Sequence, residues 1–358
     1  MLEVQRRLQK IMRKARVDGI LFWSLENIRY LCGFSGSDGA LIAADGGMTF
    51  LSDSRYETQA QQEIRDAAFQ KYRQKGEGCA QIIRTLGVKR LGFEAAAIDF
   101  ASYQQLREKL SGIDFVPLTE EIRTLRVRKS MEEIATIKEA IRIASDGFLN
   151  ALPRFRPGVR ERSAAEALEC RMKKRGAEKT AFDTIVASGP RAAQPHGAPS
   201  AKRMENGEGV VIDFGARFQG YHSDETKTLF LGPPGVKQRK IYEIVYKAQE
   251  KALRAIRPGV SVRSIDRAAR DVITRAGYGE YFGHGLGHGV GLAVHEEPRI
   301  SPLGRGRVEE GMVFTVEPGI YLPHWGGVRL EDMVRVSGSG YEKLTSLPKE
   351  LRKNILHP

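Results

Sequence analysis

The sequence predicts two domains: an α/β domain over residues 1–126 and, over residues 127–358, an α+β domain duplicated about a pseudo-two-fold axis. Three observations predict this. Apolar β-like runs alternate with helical patterns as far as a basic connector at residues 123–129. Beyond the connector, a helix–turn–helix framework occurs twice. Each copy is then followed by a hairpin that carries carboxylates into an apolar setting. A length of 358 residues suits two domains, each large enough for its own core.

Within the first domain, residues 2–16 read as a basic amphipathic helix with Leu2, Leu8, Ile11 and Met12 on its apolar side. Residues 19–23 form a buried strand. Residues 40–43 and 48–51 flank Ala44-Asp45-Gly46-Gly47, a hairpin turn signal. Helical patterns cover residues 54–67 and 102–110, and residues 90–93 make a further short strand. Gly33, Gly36 and Gly39 follow a strand but lack the spacing of a phosphate-cradling loop, so no chemistry is assigned to this domain.

Past the connector, Ser130 with Glu133 makes a capping box that opens a long helix, with Ile134, Ile137, Ile141, Ala144 and Phe148 at helical spacing. Ala151-Leu152-Pro153-Arg154-Phe155-Arg156-Pro157-Gly158-Val159 is then echoed by Ala252-Leu253-Arg254-Ala255-Ile256-Arg257-Pro258-Gly259-Val260. In both copies a serine (Ser163, Ser264), an alanine-rich helical stretch and a closing glycine (Gly176, Gly277) follow. The Pro-Gly pair ends one helix and the serine is expected to cap the next; Ser163 with Glu166 matches a capping box, whereas Ser264 lacks the acidic partner.

The hairpins carry the chemistry. One runs through Val211-Ile212-Asp213-Phe214-Gly215, turns near Gly220 and returns through Ser223-Asp224-Glu225-Thr226. The other runs through Thr315-Val316-Glu317-Pro318-Gly319, turns near Gly326-Gly327 and returns through Arg329-Leu330-Glu331-Asp332. Each places one carboxylate at the end of an apolar run and a second one four residues after a turn glycine. Unpaired charge is too costly to bury, so four converging carboxylates demand cationic partners. Between the hairpins lies a glycine-rich stretch with three of the chain's seven histidines, His284, His288 and His295. Four carboxylates and an imidazole suit two adjacent divalent ions, with manganese or cobalt favoured over a thiolate-loving metal, and zinc admissible. Such a pair makes hydroxide at neutral pH and polarises a carbonyl, which implies hydrolysis.

Composition narrows the classes. No segment approaches a membrane span, and the amino terminus does not read as an export signal. The three cysteines, Cys32, Cys79 and Cys170, are scattered and without metal-finger spacing, as expected of reduced cytoplasmic thiols. A net charge of +13 invites a nucleic-acid reading, but the basic clusters carry no interleaved aromatics and no recognition motif. Neither nucleic acid nor membrane is expected as a partner.

These motifs, over roughly residues 130–350, resemble those of the pita-bread metallopeptidases, and the first domain is similar to the creatinase-type domain that precedes them in the proline-directed members. The resemblance implies a metal cage of Asp213, Asp224, His288, Glu317 and Glu331, with Asp213 chelating one ion and Asp224 and Glu331 bridging two. It further implies that His196 and His295 hold substrate and stabilise the tetrahedral oxyanion. Glu317 would move the proton of a metal-bridging hydroxide to the leaving nitrogen. His284 and Arg329 would contact substrate or support the ligands, Phe182 would face the proline ring, and Arg299 would meet the substrate carboxylate. His222 reads as a strand residue facing solvent or supporting the site, and His324 and His357 as surface residues.

The implied activity is hydrolysis of the bond before proline in a peptide with proline second, by an Xaa-Pro dipeptidase or aminopeptidase acting as a homodimer. Methionine aminopeptidase shares the five ligands but usually lacks the first domain. A non-catalytic binding protein on the same scaffold typically loses ligands, and here all five are present.

Overall fold

Gly19–Phe22 is buried at every position and lies at the centre of a six-stranded mixed sheet. The computed structural model describes residues 2–357, with side chains from Val4 onward. It divides into two compact units, Met1–Arg126 and Val127–Pro358. In the first, Gly19–Phe22 pairs antiparallel with Ala40–Ala44 and parallel with Arg90–Glu94. Alternation sends Ile20 and Phe22 into one core and Leu21 into the other, so both faces are covered. Leu8, Ile11 and Met12 of the helix Leu2–Ala15 are buried in the former; Leu2's side chain lies outside the described residues. Ala44 pairs with Gly47 around Asp45-Gly46, the two-residue loop expected of that dipeptide.

Residues 54–67 do not form one helix. A single 3₁₀ turn, Ser54–Tyr56, leads into Glu57–Glu63, and Ala68–Lys71 becomes an edge strand. The opposite edge, Asp114–Leu118, carries Pro117, which edge position tolerates because a proline has no N–H to give a ladder.

The second unit holds the duplication. Met131–Ala151 opens with the reciprocal Ser130–Glu133 cap and buries Ile134, Ile137, Ile141, Ala144 and Phe148. It pairs with Glu161–Lys174, as Val236–Ala255 pairs with Val262–Arg275. The turns match in detail. Gly158 and Gly259 have φ of +85° and +84°, and each donates its N–H at 2.8 Å, to the Met204 and Val308 carbonyls respectively. The guanidinium groups of Arg203 and Arg307 return to the Gly158 and Gly259 carbonyls at 2.6 and 2.7 Å.

The expected serine caps are not where the helices start. Ser163 lies inside its helix, whose N-cap is Arg160 with no side-chain cap bond, and Ser264 is capped by Ser261. The reason is an isolated β-bridge in each copy, Arg160 to Arg203 and Ser261 to Arg307. The bridge holds the residue extended, so the helix begins immediately after it.

Each acidic hairpin proves to be two hairpins in series. Gly209–Phe214 pairs with Glu225–Leu231, and between them Ala216–Phe218 pairs with Tyr221–His222. In the second copy Val313–Val316 pairs with Asp332–Val336, and Gly319–Leu322 pairs with Gly326–Arg329. The ladder breaks at Gly215 in one copy and at Glu317-Pro318 in the other, where proline has no donor to continue it. Asp224, Glu317 and Glu331 sit at these breaks, and Asp213 is paired in the ladder two residues before Gly215.

Candidate metal centre

The strand Gly209–Phe214 carries Asp213 opposite Thr226, and Asp224 stands just before the return strand. Glu317 follows Val313–Val316 and Glu331 precedes Asp332–Val336, with Val316 paired to Asp332. His288 belongs to Gly287–Gly289, beside Val313–Val316 in a five-stranded sheet. Its flanking glycines have a steric reason: a Cβ on Gly287 would lie 2.0 Å from the Thr315 carbonyl oxygen, and one on Gly289 would lie 2.0 Å from that of Glu297.

Ligand atoms of Asp224, His288 and Glu331 lie within 4.8 Å of one another. His288 Nε2 is 3.6 Å from Asp224 Oδ2 and 3.3 Å from Glu317 Oε1. Asp213 Oδ2 accepts from Arg329 Nη2 at 2.7 Å. Its other oxygen, Oδ1, is buried with no hydrogen-bond partner among the described residues. Glu331 Oε2 accepts from Thr226 Oγ1 at 2.7 Å, and Glu317 Oε1 from Thr315 Oγ1 at 3.1 Å.

The electrostatics follow from crowding. Burial pushes the Asp224 carboxyl well up from its ordinary value, and repulsion from Glu331, Asp213 and Glu317 adds to it. Glu331 is raised in the same way, by burial and then by Glu317 and Asp213. Asp213 is raised by burial against the pull of Arg329. Glu317 goes the other way: burial would raise it, but the hydrogen bond and charge of His288 hold it down at about 2. Burial pulls His288 down, and the Glu317 carboxylate more than offsets this, leaving the imidazole raised.

This donor set fits a divalent metal. The contact of His288 Nδ1 with the Gly289 carbonyl at 3.1 Å requires a proton on Nδ1. Nε2 faces the Asp224 and Glu317 carboxylates, which favour a proton there in the metal-free ring; a divalent cation would take that proton's place and bind the Nε2 lone pair. The orphaned Asp213 Oδ1 likewise calls for a cation.

Arg329, 3% exposed, uses four of its five donors: Nε to Thr226 Oγ1, Nη1 to the Pro195 carbonyl and the Tyr321 hydroxyl, and Nη2 to Asp213. Half-buried His284 completes this chain, with Nδ1 on the Gly285 carbonyl at 2.8 Å and Nε2 on the Tyr321 hydroxyl at 3.0 Å. Burial lowers its pKa. The exposed His295 ring stands 4.3 Å from that of His288, edge to face. Burial and then the His288 charge lower the pKa of His295, and the Glu317 carboxylate opposes them. His196 is itself exposed, next to the Pro195 that accepts from Arg329.

Phe182 and Arg299 are not drawn in. Phe182 is half-buried in the loop between Lys179–Thr180 and Ile185–Ser188, and Arg299 is exposed on Glu296–Ile300. No hydrogen bond, ion pair or ring contact joins either to the five-residue cluster among the described residues. His222 is buried rather than solvent-facing, with its N–H and Nδ1 both on the Gly291 carbonyl, at 2.9 and 3.0 Å. Tyr321, Thr226 and Thr315 were missed by sequence reasoning. The threonines had a signal, since Thr226 and Thr315 each lie two residues along a strand from an acid and so share its face. Tyr321 had none.

Residues 135–338 match metallopeptidase family M24, and residues 5–128 match the creatinase/prolidase N-terminal domain. The chain belongs to the M24 metallopeptidase family, enzymes that use divalent metals on a pita-bread fold. It is 40% identical over 351 residues to the Xaa-Pro dipeptidase of Pyrococcus horikoshii, covering 98% of this chain and 99% of that one. Its fold is similar to that of the Xaa-Pro dipeptidase from Bacillus anthracis, with a TM-score of 0.95, 40% identity and 99% of each chain covered. It is also similar to the X-Pro aminopeptidase from Thermotoga maritima, with a TM-score of 0.88, 36% identity and 98% and 100% coverage. Among the described residues no helix is long and apolar enough to cross a membrane.

Proposed function

We propose that this peptidase is an Xaa-Pro dipeptidase that holds two divalent ions, manganese by preference, between Asp213, Asp224, His288, Glu317 and Glu331. The observation that carries the reading is the convergence of carboxylates from both copies on one imidazole, with an orphaned oxygen beside them. An oxygen-rich set favours manganese. When bound, the ions supply an activated water and polarise the scissile carbonyl.

The chain's own residues do the rest. Glu317 takes the proton of the attacking water on its carboxylate and delivers it to the departing proline nitrogen, as a general base and then a general acid. His295 and His196, on the exposed side, hold the substrate and donate to the oxyanion. Arg329, spent on Thr226, Pro195, Tyr321 and Asp213, orients Asp213, and His284 holds Tyr321 for it. Phe182 and Arg299, which make no contact with the five-residue cluster among the described residues, keep the roles the family resemblance gives them, facing the proline ring and the substrate carboxylate from the outer part of the site. The domain boundary falls between residues 126 and 127, and the working form is a cytoplasmic homodimer. All three cysteines being free supports the compartment, and sedimentation tests the dimer.

The names of the full-length relatives support the dipeptidase. The likeness to the Thermotoga maritima enzyme favours Xaa-Pro aminopeptidase as the second reading. Hydrolysis of Ala-Pro, Ala-Pro-Ala and Met-Ala with manganese separates them: the dipeptidase cleaves Ala-Pro alone, the aminopeptidase also releases alanine from the tripeptide, and cleavage of Met-Ala alone identifies a methionine aminopeptidase. Inactivity on all three with manganese, cobalt and zinc overturns the reading.

A further inference from the structure

A second buried charge cluster lies behind the acidic one. Strand alternation sends Glu225 and Asp332, the residues after Asp224 and Glu331, to the opposite face. They are 2% and 1% exposed, and one side chain meets both. Lys349 Nζ pairs with Glu225 Oε1 and stands 3.5 Å from Asp332 Oδ1. Glu225 Oε2 is buried without a hydrogen-bond partner, so the ammonium is that carboxylate's hold. Lys349 is itself fixed. Its carbonyl accepts from the Tyr242 hydroxyl at 2.8 Å, and the preceding Pro348 carbonyl accepts from Lys227 Nζ and from Asn354 Nδ2. Asp332 Oδ1 also accepts from Thr345 Oγ1 at 2.6 Å, and Lys343 Nζ is 3.8 Å away.

The position matters because Glu225–Leu231 and Asp332–Val336 belong to different sheets. At this level, among the described residues, they are joined by one backbone bond, Glu331 N–H to the Thr226 carbonyl at 3.2 Å, and otherwise by side chains. A buried charged trio is a poor source of stability, since apolar residues of like volume serve as well or better. What it supplies is a fixed distance.

We infer that Lys349 is a positioning residue: by tying Glu225 of one copy to Asp332 of the other, it sets the separation of Asp224 and Glu331 and so lets two ions share them. This rests on the dinuclear reading above. Manganese titration of the chelator-stripped protein, read by calorimetry and by electron paramagnetic resonance, tests it. The native chain should bind two ions with a spin-coupled signal. In Lys349→Met the second ion should bind on the order of ten- to a hundred-fold more weakly, with loss of the coupled signal, while the first stays within about threefold. Lys349→Arg should restore both. The pair Glu225→Gln with Lys349→Met leaves net charge unchanged and relieves the stranded carboxylate, so it keeps the test alive if the single variant does not fold; it should lose the second ion likewise. Native stoichiometry and coupling in that double variant overturn the inference. A native chain that binds fewer than two ions overturns the dinuclear reading itself, and the inference with it.

Discussion

The two copies of the framework share a backbone but divide the work unequally. The copy ending in Gly209–Leu231 contributes two aspartates, staggered along the ladder with Thr226 facing Asp213. The copy ending in Val313–Val336 contributes two glutamates where its ladder breaks, and also His288 and Arg329. Support crosses between them: Arg329 holds Asp213, while Thr226 holds Glu331. A duplicated fold thus yields one site, because Asp213 and Glu331 each take a side-chain donor from the other copy.

Four measurements break or sharpen that comparison. The largest effect belongs to the acids themselves. Asp224→Asn and Glu331→Gln, one from each copy, should each lower kcat/KM on Ala-Pro on the order of a thousand-fold or more, since a metal supplies several kcal/mol at the transition state. A tolerated change in one copy alone would show that the copies do not share the ions. Next comes Arg329→Met, which strands Asp213 Oδ2; metal affinity by calorimetry should fall on the order of ten- to a hundred-fold.

The third measurement is pH. Asp224 and Glu331 have raised folded pKa values, so their contribution to stability is full below the ordinary carboxylate range and is lost as pH rises through the raised values. The metal-free protein should therefore melt at lower temperature at about pH 7.5 than at about pH 5.5, and stabilisation by manganese should be larger at the higher pH, with protons released on binding. Equal stabilisation at both would contradict the crowded-carboxylate account. The smallest effect separates the helix starts. Ser261→Ala should cost about 1 kcal/mol in thermal or denaturant unfolding, whereas Ser163→Ala, in a helix without a side-chain cap, should cost less than about 0.5 kcal/mol.

That last contrast marks where the sequence could be read and where it could not. The buried stripe from Ile134 to Phe148, the Asp45-Gly46 turn and the repeated Pro-Gly breaks depend on local pattern, and each was legible. So were the acids, because charge in an apolar run has to be explained. The true helix starts were hidden because single β-bridges from Arg203 and Arg307, distant in sequence, decide them. The edge strand Ala68–Lys71 was hidden in a polar, largely exposed stretch. Tyr321 has no neighbour in sequence that marks it, and its role comes only from Arg329 and His284 meeting its hydroxyl. Arg329 itself was recognisable by resemblance, but the commitment of four of its donors to other side chains and a carbonyl was not.

The central claim is that five side chains from both copies enclose the ions. Anomalous diffraction from crystals grown with manganese tests it most directly. Two peaks should lie between Asp213, Asp224, His288, Glu317 and Glu331, with one oxygen of Asp213 in contact with metal. A single peak outside this cluster, or an Asp213 carboxylate turned wholly to Arg329 while metal is bound elsewhere, would contradict the account.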